Sequence, residues 1–350
     1  MKICSKDSLV RFGVEFLKKK GVPEKNARTI TDIAVKTQAM GIHTHGMAVF
    51  PYFNQNIPDP IDPAAEPEVV RETGATAVID GNYGFAQLAL SLAKEVAVEK
   101  ASKQGVAMVT VRKCCWFGAL GPYLHTLTQR GYMAQLWAQT TTCRDAAPYG
   151  GIDAKFSTNP IAMAFPTKGD PVVSDFSTTT ISMGKLKRMV QSGQQAPEPI
   201  FLDAEGHLST EPKVALEGGS VLFIGGAHYG YKGYGLSLWA EGIAALAGGE
   251  CNNPETKTSQ SASLTVIDPG AFAGTDHYYT EIERFKSHML NNRVRPGFDS
   301  IRLPGQRIVH NLRESEQGGI PVEKQLLETL NGLAEKLNIA PISTLQERGS

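Results

Sequence analysis

The sequence has few cysteines, no net charge and no long apolar run. Its five cysteines in 350 residues are odd in number and irregularly spaced, which excludes a disulfide-stapled secreted scaffold. Thirty-five basic and thirty-five acidic side chains cancel, so no overall charge attracts the protein to nucleic acid or to an anionic membrane. The apolar stretch LSLWAEGIAALA is interrupted by Glu241 and is shorter than the roughly 20 residues of a membrane span. Because the amino terminus also lacks an apolar signal segment, we expect a soluble, cytoplasmic protein.

The usual nucleotide-binding motifs are absent as well. Glycine is frequent, at thirty-five residues, yet no predicted strand is followed by Gly-x-Gly-x-x-Gly and there is no Gly-x-x-x-x-Gly-Lys-Ser/Thr loop. The sequence therefore disfavours a standard Rossmann half and a P-loop nucleotidase. The densest glycine patch, GGAHYGYKGYGL, suits either close backbone approach to an anion beside Lys232 or an ordinary tight loop, and spacing alone favours neither.

Hydrophobic periodicity predicts helical ends and a mixed centre. The first forty residues predict two helices that end at Gly21 and Gly41, and a leucine stripe predicts a final helix after Pro321. Segments 76–80 and 106–111 flank a long helical pattern and indicate a strand–helix–strand unit. Further strands are predicted at 132–138, 160–165, 171–176 and 264–268, and helices near 234–247 and 278–291.

These patterns suggest a domain organisation. We expect both chain ends, residues 1–74 plus 300–350, to form one helical domain around a central α/β nucleotide-binding and substrate domain of residues 75–299. Residues 51–73 are rich in proline and acidic side chains, so they are predicted to connect the two without forming a helix or strand.

The segment GIHTHG carries two histidines just past a predicted helix end. His45, with Thr44 as its hydrogen-bond partner, is a candidate general acid or base. Together with His43 it is also a candidate metal pair, and a solvated loop histidine is the third interpretation. Because the remaining histidines show no matching cluster, we expect no metal site.

Two polar segments at strand ends are candidate ligand sites. In STNPIA, Thr158 and Asn159 offer small polar side chains that suit a carboxylate, ribose or phosphate, or else form a simple turn. In SDFSTTTISMGK, Asp175 ends an apolar strand, as a site acid or as a helix cap. Hydroxyl side chains and a lysine follow it, among them Ser177, Thr178 and Lys185.

The segment CCWFGALG follows the predicted strand 106–111. Its two cysteines and Trp116 would lie at the carboxyl edge of that strand, where ligands commonly bind. A buried aromatic ring beside two small thiols is an equally good interpretation.

Taken together and in this order, the segments resemble the malate/L-lactate dehydrogenase type 2 family. That family includes ureidoglycolate and sulfolactate dehydrogenases and cyclic-imine reductases acting on piperideine-2-carboxylate. The resemblance covers nearly the whole chain and is carried by GIHTHG, TAVIDGNYGFAQ, VRKCCWFGALG, APYGG, STNPIA, SDFSTT, YKGYGL and RLPGQ. It implies a non-Rossmann α/β fold with a mixed, largely antiparallel central sheet. It also implies a homodimer, NAD or NADP as cofactor, and a small 2-oxo, 2-hydroxy or 2-imino acid as substrate.

The resemblance also implies roles for individual positions. His45 with Thr44 matches the family's Ser-His-Gly loop, and Asp175 matches its acid, so these three are predicted to be catalytic together with Trp116. The predicted cofactor-binding residues come from three segments and are Thr158, Asn159, Pro160, Ser177, Thr178, Lys185, Tyr231, Lys232 and Gly233.

Three departures from the family pattern bear on the chemistry. The histidine of the usual Ser-x-His-Phe-Gly segment is Trp116, the arginine expected after the loop histidine is Val49, and the histidine before Lys232 is Tyr231. An indole N–H donates a hydrogen bond but cannot cycle a proton near neutral pH, whereas an iminium already carries its positive charge. We therefore favour NAD(P)H-dependent reduction of a small imine or iminium over reduction of a 2-oxo acid. Two alternatives are a non-redox or nucleotide-binding descendant, such as a cyclisation or condensation enzyme, and a metalloenzyme built on the His-x-His loop.

Overall fold

The structure is a computed structural model that describes residues 1–345. Its strands are β1 (Lys2–Cys4), β2 (Glu68–Glu72), β3 (Thr76–Asp80), β4 (Val106–Cys114), β5 (Met133–Thr140), β6 (Ile161–Phe165), β7 (Val172–Phe176), β8 (Phe201–Leu202), β9 (Leu208–Ser209), β10 (Ser220–Val221), β11 (Gln260–Ile267) and β12 (Ile320–Val322). Its helices are α1 (Lys6–Lys19), α2 (Glu24–Ala39), α3 (Val49–Asn56), α4 (Ala86–Gln104), α5 (Gly121–Thr128), α6 (Met183–Ser192), α7 (Gly226–Tyr229), α8 (Tyr231–Leu246), α9 (Thr275–Leu290), α10 (Gln306–Gly318) and α11 (Lys324–Leu337). None of the helices in residues 1–345 combines the length and apolar character needed to cross a membrane.

A seven-stranded sheet in the order β2-β3-β4-β11-β5-β6-β7 forms the centre of the fold. The β3–β4 pair is parallel and is connected through α4, while the other neighbours in this sheet are antiparallel. Alternation along β11 buries Ala262, Leu264 and Val266 on one face, as expected for a strand with one face in a core. The predicted mixed, largely antiparallel α/β fold is confirmed.

Helix α4 packs on this sheet through a stripe of small side chains. The stripe lets the helix axis lie close to the strands and consists of Ala86, Ala89, Ala93, Ala97 and Ala101. The helix ends at Gly105, whose φ of +80° closes the last turn and whose N–H donates to the Ala101 carbonyl. The strand–helix–strand unit predicted from periodicity is therefore present.

A second core joins both ends of the chain. Strands β1 and β12 pair antiparallel, and buried side chains of α1 to α3 pack against Leu327 and Leu330 of α11. Phe50 contacts Phe12 and Phe16 edge-to-face, with ring centroids 5.4 Å apart in each pair. Phe85 and Cys115 belong to the same cluster, so this core is continuous with segments of the central sheet. The division into two domains stays a prediction, and its residues 346–350 lie outside the described part of the chain.

Two expectations about local structure were wrong. Residues 51–73 include most of α3 and all of β2. Pro51 is tolerated because it lies in the first turn of α3, where its missing N–H has no partner to lose. Val322 was assigned to the last helix but lies in β12, because its partner strand β1 comes from the other end of the chain.

Candidate active site

The loop after α2 brings His45 against Thr44 and Trp116. Thr44 Oγ1 lies 2.7 Å from His45 Nδ1, and the ring centroids of His45 and Trp116 are 6.1 Å apart. Burial lowers the pKa of His45 below its ordinary value, so the ring is mostly neutral near pH 7. Because the Thr44 hydroxyl holds His45 Nδ1, the other ring nitrogen, Nε2, is the atom that can exchange a proton with a ligand.

The neighbouring His43 is held by Gln38. Gln38 Oε1 accepts a hydrogen bond from the Met47 N–H, and Gln38 Nε2 donates to the Pro321 carbonyl. The same nitrogen lies 2.8 Å from His43 Nδ1, which must therefore be the acceptor. This assigns the proton of neutral His43 to Nε2.

The only group of three potential metal ligands found in residues 1–345 does not include either loop histidine. It consists of Asp203, Glu205 and His207 on a hairpin turn, where the Asp203 carboxylate already accepts from the two backbone N–H groups of the others. Glu205 and His207 are exposed, and the turn itself explains why the three side chains lie together.

Trp116 lies where the resemblance leads us to expect a histidine. Its ring centroid is 4.2 Å from that of Tyr52, and its Nε1 is buried without a hydrogen-bond partner among residues 1–345. Its φ of +59° is unfavourable for a bulky residue and marks a constrained backbone. A Cβ at Gly118 would lie 3.3 Å from Nε1, so a glycine at that position leaves space for the indole.

Tyr52 and Val49 both lie on α3, and neither supplies the positive charge of the arginine expected at position 49. Burial raises the pKa of Tyr52 to about 12, so its phenol is neutral at physiological pH. Val49 is 1% exposed within the apolar core of α1 to α3. The residue at the expected arginine position is thus part of the packing beneath the site.

Asp175, near the end of β7, contacts the amino end of α5. One carboxylate oxygen accepts from the backbone N–H groups of Leu120 and Gly121 at 2.9 and 2.7 Å. Burial nevertheless raises the pKa of this carboxyl to about 6, although the two hydrogen bonds act in the opposite direction. Trp116 belongs to the loop between β4 and α5, so this loop connects Asp175 to the ring pair of Trp116 and Tyr52.

A cavity of about 630 Å³ opens beside Asp175. It is lined by the segment just after α2, by β7, by the loop before α10, which contributes Arg302, and by the first turn of α10, which contributes Arg307. Gly305 has a φ of +94°, and a Cβ there would lie 2.8 Å from the Val173 nitrogen, so only glycine lets this loop approach β7. Neither arginine was predicted as a site residue, although RLPGQ contributed to the resemblance.

The two arginines suit a polyanionic cofactor. Both side chains are exposed at the cavity, and within residues 1–345 neither forms an ion pair. Guanidinium groups bind phosphate oxygens through paired N–H donors. The residues present therefore fit the diphosphate of a nicotinamide dinucleotide.

The structure brings three of the predicted cofactor residues together. The backbone N–H and the hydroxyl of Thr178 both donate to the Thr158 carbonyl at 3.0 Å. A Cβ at Gly233 would lie 2.6 Å from the Thr178 carbonyl oxygen, so glycine allows α8 to start against this pair. Pro160 is further along the same segment, where its carbonyl accepts from Ala138 N–H of β5.

Asn159 is fully buried, with a φ of +35°, and its side-chain amide forms hydrogen bonds within the protein. Its nitrogen donates to Ser237 Oγ and Glu241 Oε1, each at 2.9 Å, while its oxygen has no partner among residues 1–345. Glu241 also accepts from Gln139 at 3.0 Å, and burial raises its pKa. Glu241 was not predicted as a site residue; its only signal was a carboxylate inside an apolar helical run.

The other predicted cofactor residues are less enclosed. The Ser177 hydroxyl donates a hydrogen bond to the Thr179 carbonyl. Lys185 lines a separate cavity of about 370 Å³ that also includes residues of the loop before α7. Tyr231 and Lys232 are exposed in the first turn of α8, where the lysine Nζ lies 6.0 Å from the Tyr231 centroid. Within residues 1–345 these last three side chains form no hydrogen bond to another predicted site residue.

Both cysteines before Trp116 are free thiols. Burial raises the pKa of Cys115 to about 11 and raises that of Cys114 well above its ordinary value. They are therefore protonated and unreactive near neutral pH, in line with the interpretation of two small apolar groups beside an aromatic ring.

Comparison with known proteins gives consistent matches over almost the entire chain. The family model for malate/L-lactate dehydrogenase matches residues 4–331. A malate dehydrogenase of Pyrococcus abyssi is 30% identical over 95% of this chain and 94% of its own length. A Delta(1)-pyrroline-2-carboxylate/Delta(1)-piperideine-2-carboxylate reductase of Pseudomonas putida is 32% identical over 89% of this chain and 91% of its own. Among solved structures, sulfolactate dehydrogenase from Methanocaldococcus jannaschii superimposes with a TM-score of 0.84 at 30% identity, covering 96% of this chain and 98% of that one.

Proposed function

The chain belongs to the malate/L-lactate dehydrogenase family, and we propose that it reduces the C=N bond of a small imine or iminium in preference to a 2-oxo acid. Its relatives are dehydrogenases and reductases, so it is an NAD(P)-dependent oxidoreductase. The observation that carries the imine preference is the pair of aromatic rings of Trp116 and Tyr52, whose centroids lie 4.2 Å apart beside His45.

Those two rings suit a cationic substrate better than an anionic oxygen. The faces of indole and phenol rings attract a cation, and an iminium has its charge on the C=N unit. Reduction of a ketone produces an alkoxide that needs a proton, which the Trp116 indole cannot cycle near neutral pH. When bound, the reduced cofactor supplies a hydride to the carbon of the C=N bond, whose electron pair moves to nitrogen to give an amine.

His45 is proposed to exchange the proton of the substrate nitrogen. Its neutral ring is adjacent to Trp116, and Thr44 holds Nδ1. An imine that arrives unprotonated needs one proton at nitrogen before hydride addition, and the protonated form of the His45 imidazole is suited to supply it.

The cofactor is proposed to lie along β7 and the start of α8. In this proposal Arg302 and Arg307 hold phosphate groups, and the predicted residues at Thr158 and Thr178 border the same segment of the sheet. Asp175 stabilises the amino end of α5 and so the loop that carries Trp116.

Two experiments test the proposal in sequence. Calorimetric titration with NADH and NADPH should show binding of at least one of them; binding of neither would favour the non-redox alternative. Cofactor oxidation should then be faster with Delta(1)-pyrroline-2-carboxylate or Delta(1)-piperideine-2-carboxylate than with pyruvate. Oxidation with pyruvate and none with any imine would refute the imine preference.

A homodimer in the cytoplasm is also proposed. One face of α8 exposes Leu238, Trp239 and Leu246 at 46, 61 and 61%, and Gly235 and Gly242 on this helix have open space beside them. Exposed apolar side chains at helical spacing with small residues between them suit a second copy packed across a two-fold axis. The five free cysteines suit a reducing compartment. Sedimentation velocity of the intact protein tests the dimer.

A further inference from the structure

A third cavity, of about 370 Å³, opens between α1, α2, α5, α10 and β12. It shares no lining residue with the cavity at Asp175. Its volume falls in the range of small-molecule sites. The proposed reaction uses none of its residues, yet its lining includes a buried histidine and a half-buried lysine whose hydrogen-bonding groups lack adequate partners within residues 1–345.

The first is His125, on α5. It is 3% exposed, and its Nδ1 is buried with no hydrogen-bond partner among residues 1–345. Burial and the nearby Lys36 lower its pKa to about 4, so the ring is neutral. A buried polar nitrogen without a partner is costly, and such groups usually find a partner in a ligand or an ordered water.

The second is Lys36, on α2. Its Nζ donates to Thr126 Oγ1 at 3.0 Å, and within residues 1–345 it has no carboxylate within ion-pair distance. Burial and the neighbouring Lys94 lower its pKa to about 8. An ammonium group offers three N–H donors, so most of its bonding capacity is unused.

The charges around the cavity do not balance at Lys36. Lys6 and Arg28 add two further cations to the lining, against the carboxylates of Asp32 and Glu316. Asp32 is engaged by Arg28, whose Nε lies 2.8 Å from its oxygen. Glu316 acts on Lys36 through its charge but forms no ion pair with it, so no carboxylate within residues 1–345 contacts the Lys36 ammonium.

We propose that this cavity is a second ligand site, which binds a small organic acid with its carboxylate on Lys36 and His125. A carboxylate accepts hydrogen bonds only, which matches the ammonium donors and the N–H that a neutral His125 can present at Nδ1. Val35 and Leu312 supply an apolar wall for the body of the acid. That wall favours an organic acid over an inorganic anion.

Benzoate and benzamide are matched probes, because they share a shape and differ in charge. Calorimetry on the intact protein should detect benzoate and show benzamide about tenfold weaker, as expected for loss of a charge-assisted hydrogen bond. Lys36→Gln should weaken benzoate about tenfold as well. Lys25→Gln, at an exposed position of the same helix, is the matched control and should not change the affinity.

Two further variants keep the test independent of folding and of the catalytic cleft. Leu312→Phe retains Lys36 but fills the cavity, so it should also weaken benzoate while the thermal midpoint stays near that of the wild type. His45→Ala should leave benzoate affinity unchanged. The proposal is overturned if wild type fails to bind benzoate, if Lys36→Gln binds it equally well, or if His45→Ala abolishes binding.

Discussion

The indole of Trp116 and the phenol of Tyr52 lie with their ring centroids 4.2 Å apart and their planes at 41°. Tyr52 belongs to α3, whereas Trp116 follows β4, so two distant segments of the chain form one aromatic surface. His45 adjoins the same indole from the loop after α2. The chemistry of this site therefore depends on what an aromatic surface and one imidazole can do together.

Replacing Trp116 with histidine should allow 2-oxo acid reduction. The new imidazole supplies the proton that a developing alkoxide needs, an effect typically worth about 10²–10⁴ in rate. We expect pyruvate turnover to rise and imine turnover to fall, measured as kcat/KM with both substrate classes. Trp116→Phe is the control, because it keeps a ring and adds no proton carrier. Equal pyruvate rates in the two variants would contradict the role assigned to this position.

Replacing His45 with alanine should reduce imine turnover by about 100-fold or more, because its proton transfer is lost. His43→Ala is the matched control, since His43 bonds to Gln38 and is given no chemical role. Full activity of the His45 variant would show that another group or water supplies the proton.

The pH profile provides a separate check on His45. Burial lowers the pKa of its imidazole, so the neutral form persists below the ordinary value and is lost only at lower pH. Because the protonated ring is the donor, kcat/KM with an imine that arrives unprotonated should fall as pH rises, with a midpoint below about pH 6.5. A midpoint above that value would contradict a buried His45 whose pKa is lowered.

Asp175→Asn should change how stability depends on pH. The folded-state pKa of about 6 is above the ordinary unfolded value, so this carboxyl stabilises the fold below about pH 4 and the contribution is lost as pH rises through 6. The variant should therefore gain stability relative to wild type between about pH 4.5 and 7.5. Urea unfolding at both values measures this difference. A difference that does not vary with pH would show that the carboxyl is not perturbed.

Replacing Arg302 or Arg307 with alanine should raise the KM for the nicotinamide cofactor about tenfold, the loss expected for a hydrogen bond to a charged group. The kcat should change little, because the contacts are made equally before and during reaction. Arg293→Ala, at an exposed position nearby in sequence, should leave both constants unchanged. An unchanged KM in both variants would place the cofactor outside the cavity beside Asp175.

Trp239→Glu should convert the proposed dimer to a monomer, because a buried unpaired carboxylate in the interface costs more than the apolar contact it replaces. Sedimentation velocity should show the halved mass. Phe285→Glu, at another exposed aromatic on α9, should leave the mass unchanged. A dimer that survives Trp239→Glu would assign the interface to another face.

Much of the architecture could be predicted from local pattern. The alternation in β11 and the alanine stripe and glycine cap of α4 are properties of neighbouring residues, and each element follows from its own periodicity. Segments without such a pattern were predicted poorly. Helix α3 contains a proline, and β2 is an exposed edge strand. Both are stabilised by the elements packed against them, which a local pattern does not show.

The residue types of the site could be predicted, but their partners could not. The sequence alone determined that residue 116 is a tryptophan and residue 49 a valine, which excludes proton cycling at the first position and a guanidinium at the second. Only the tertiary structure decided that Arg302 joins Asp175 in one cavity and that Glu241 holds Asn159. These residues are 127 and 82 positions apart in the printed sequence, and nothing local specifies their contact. Such pairs are decided by how the packed sheet and helices bring distant segments together.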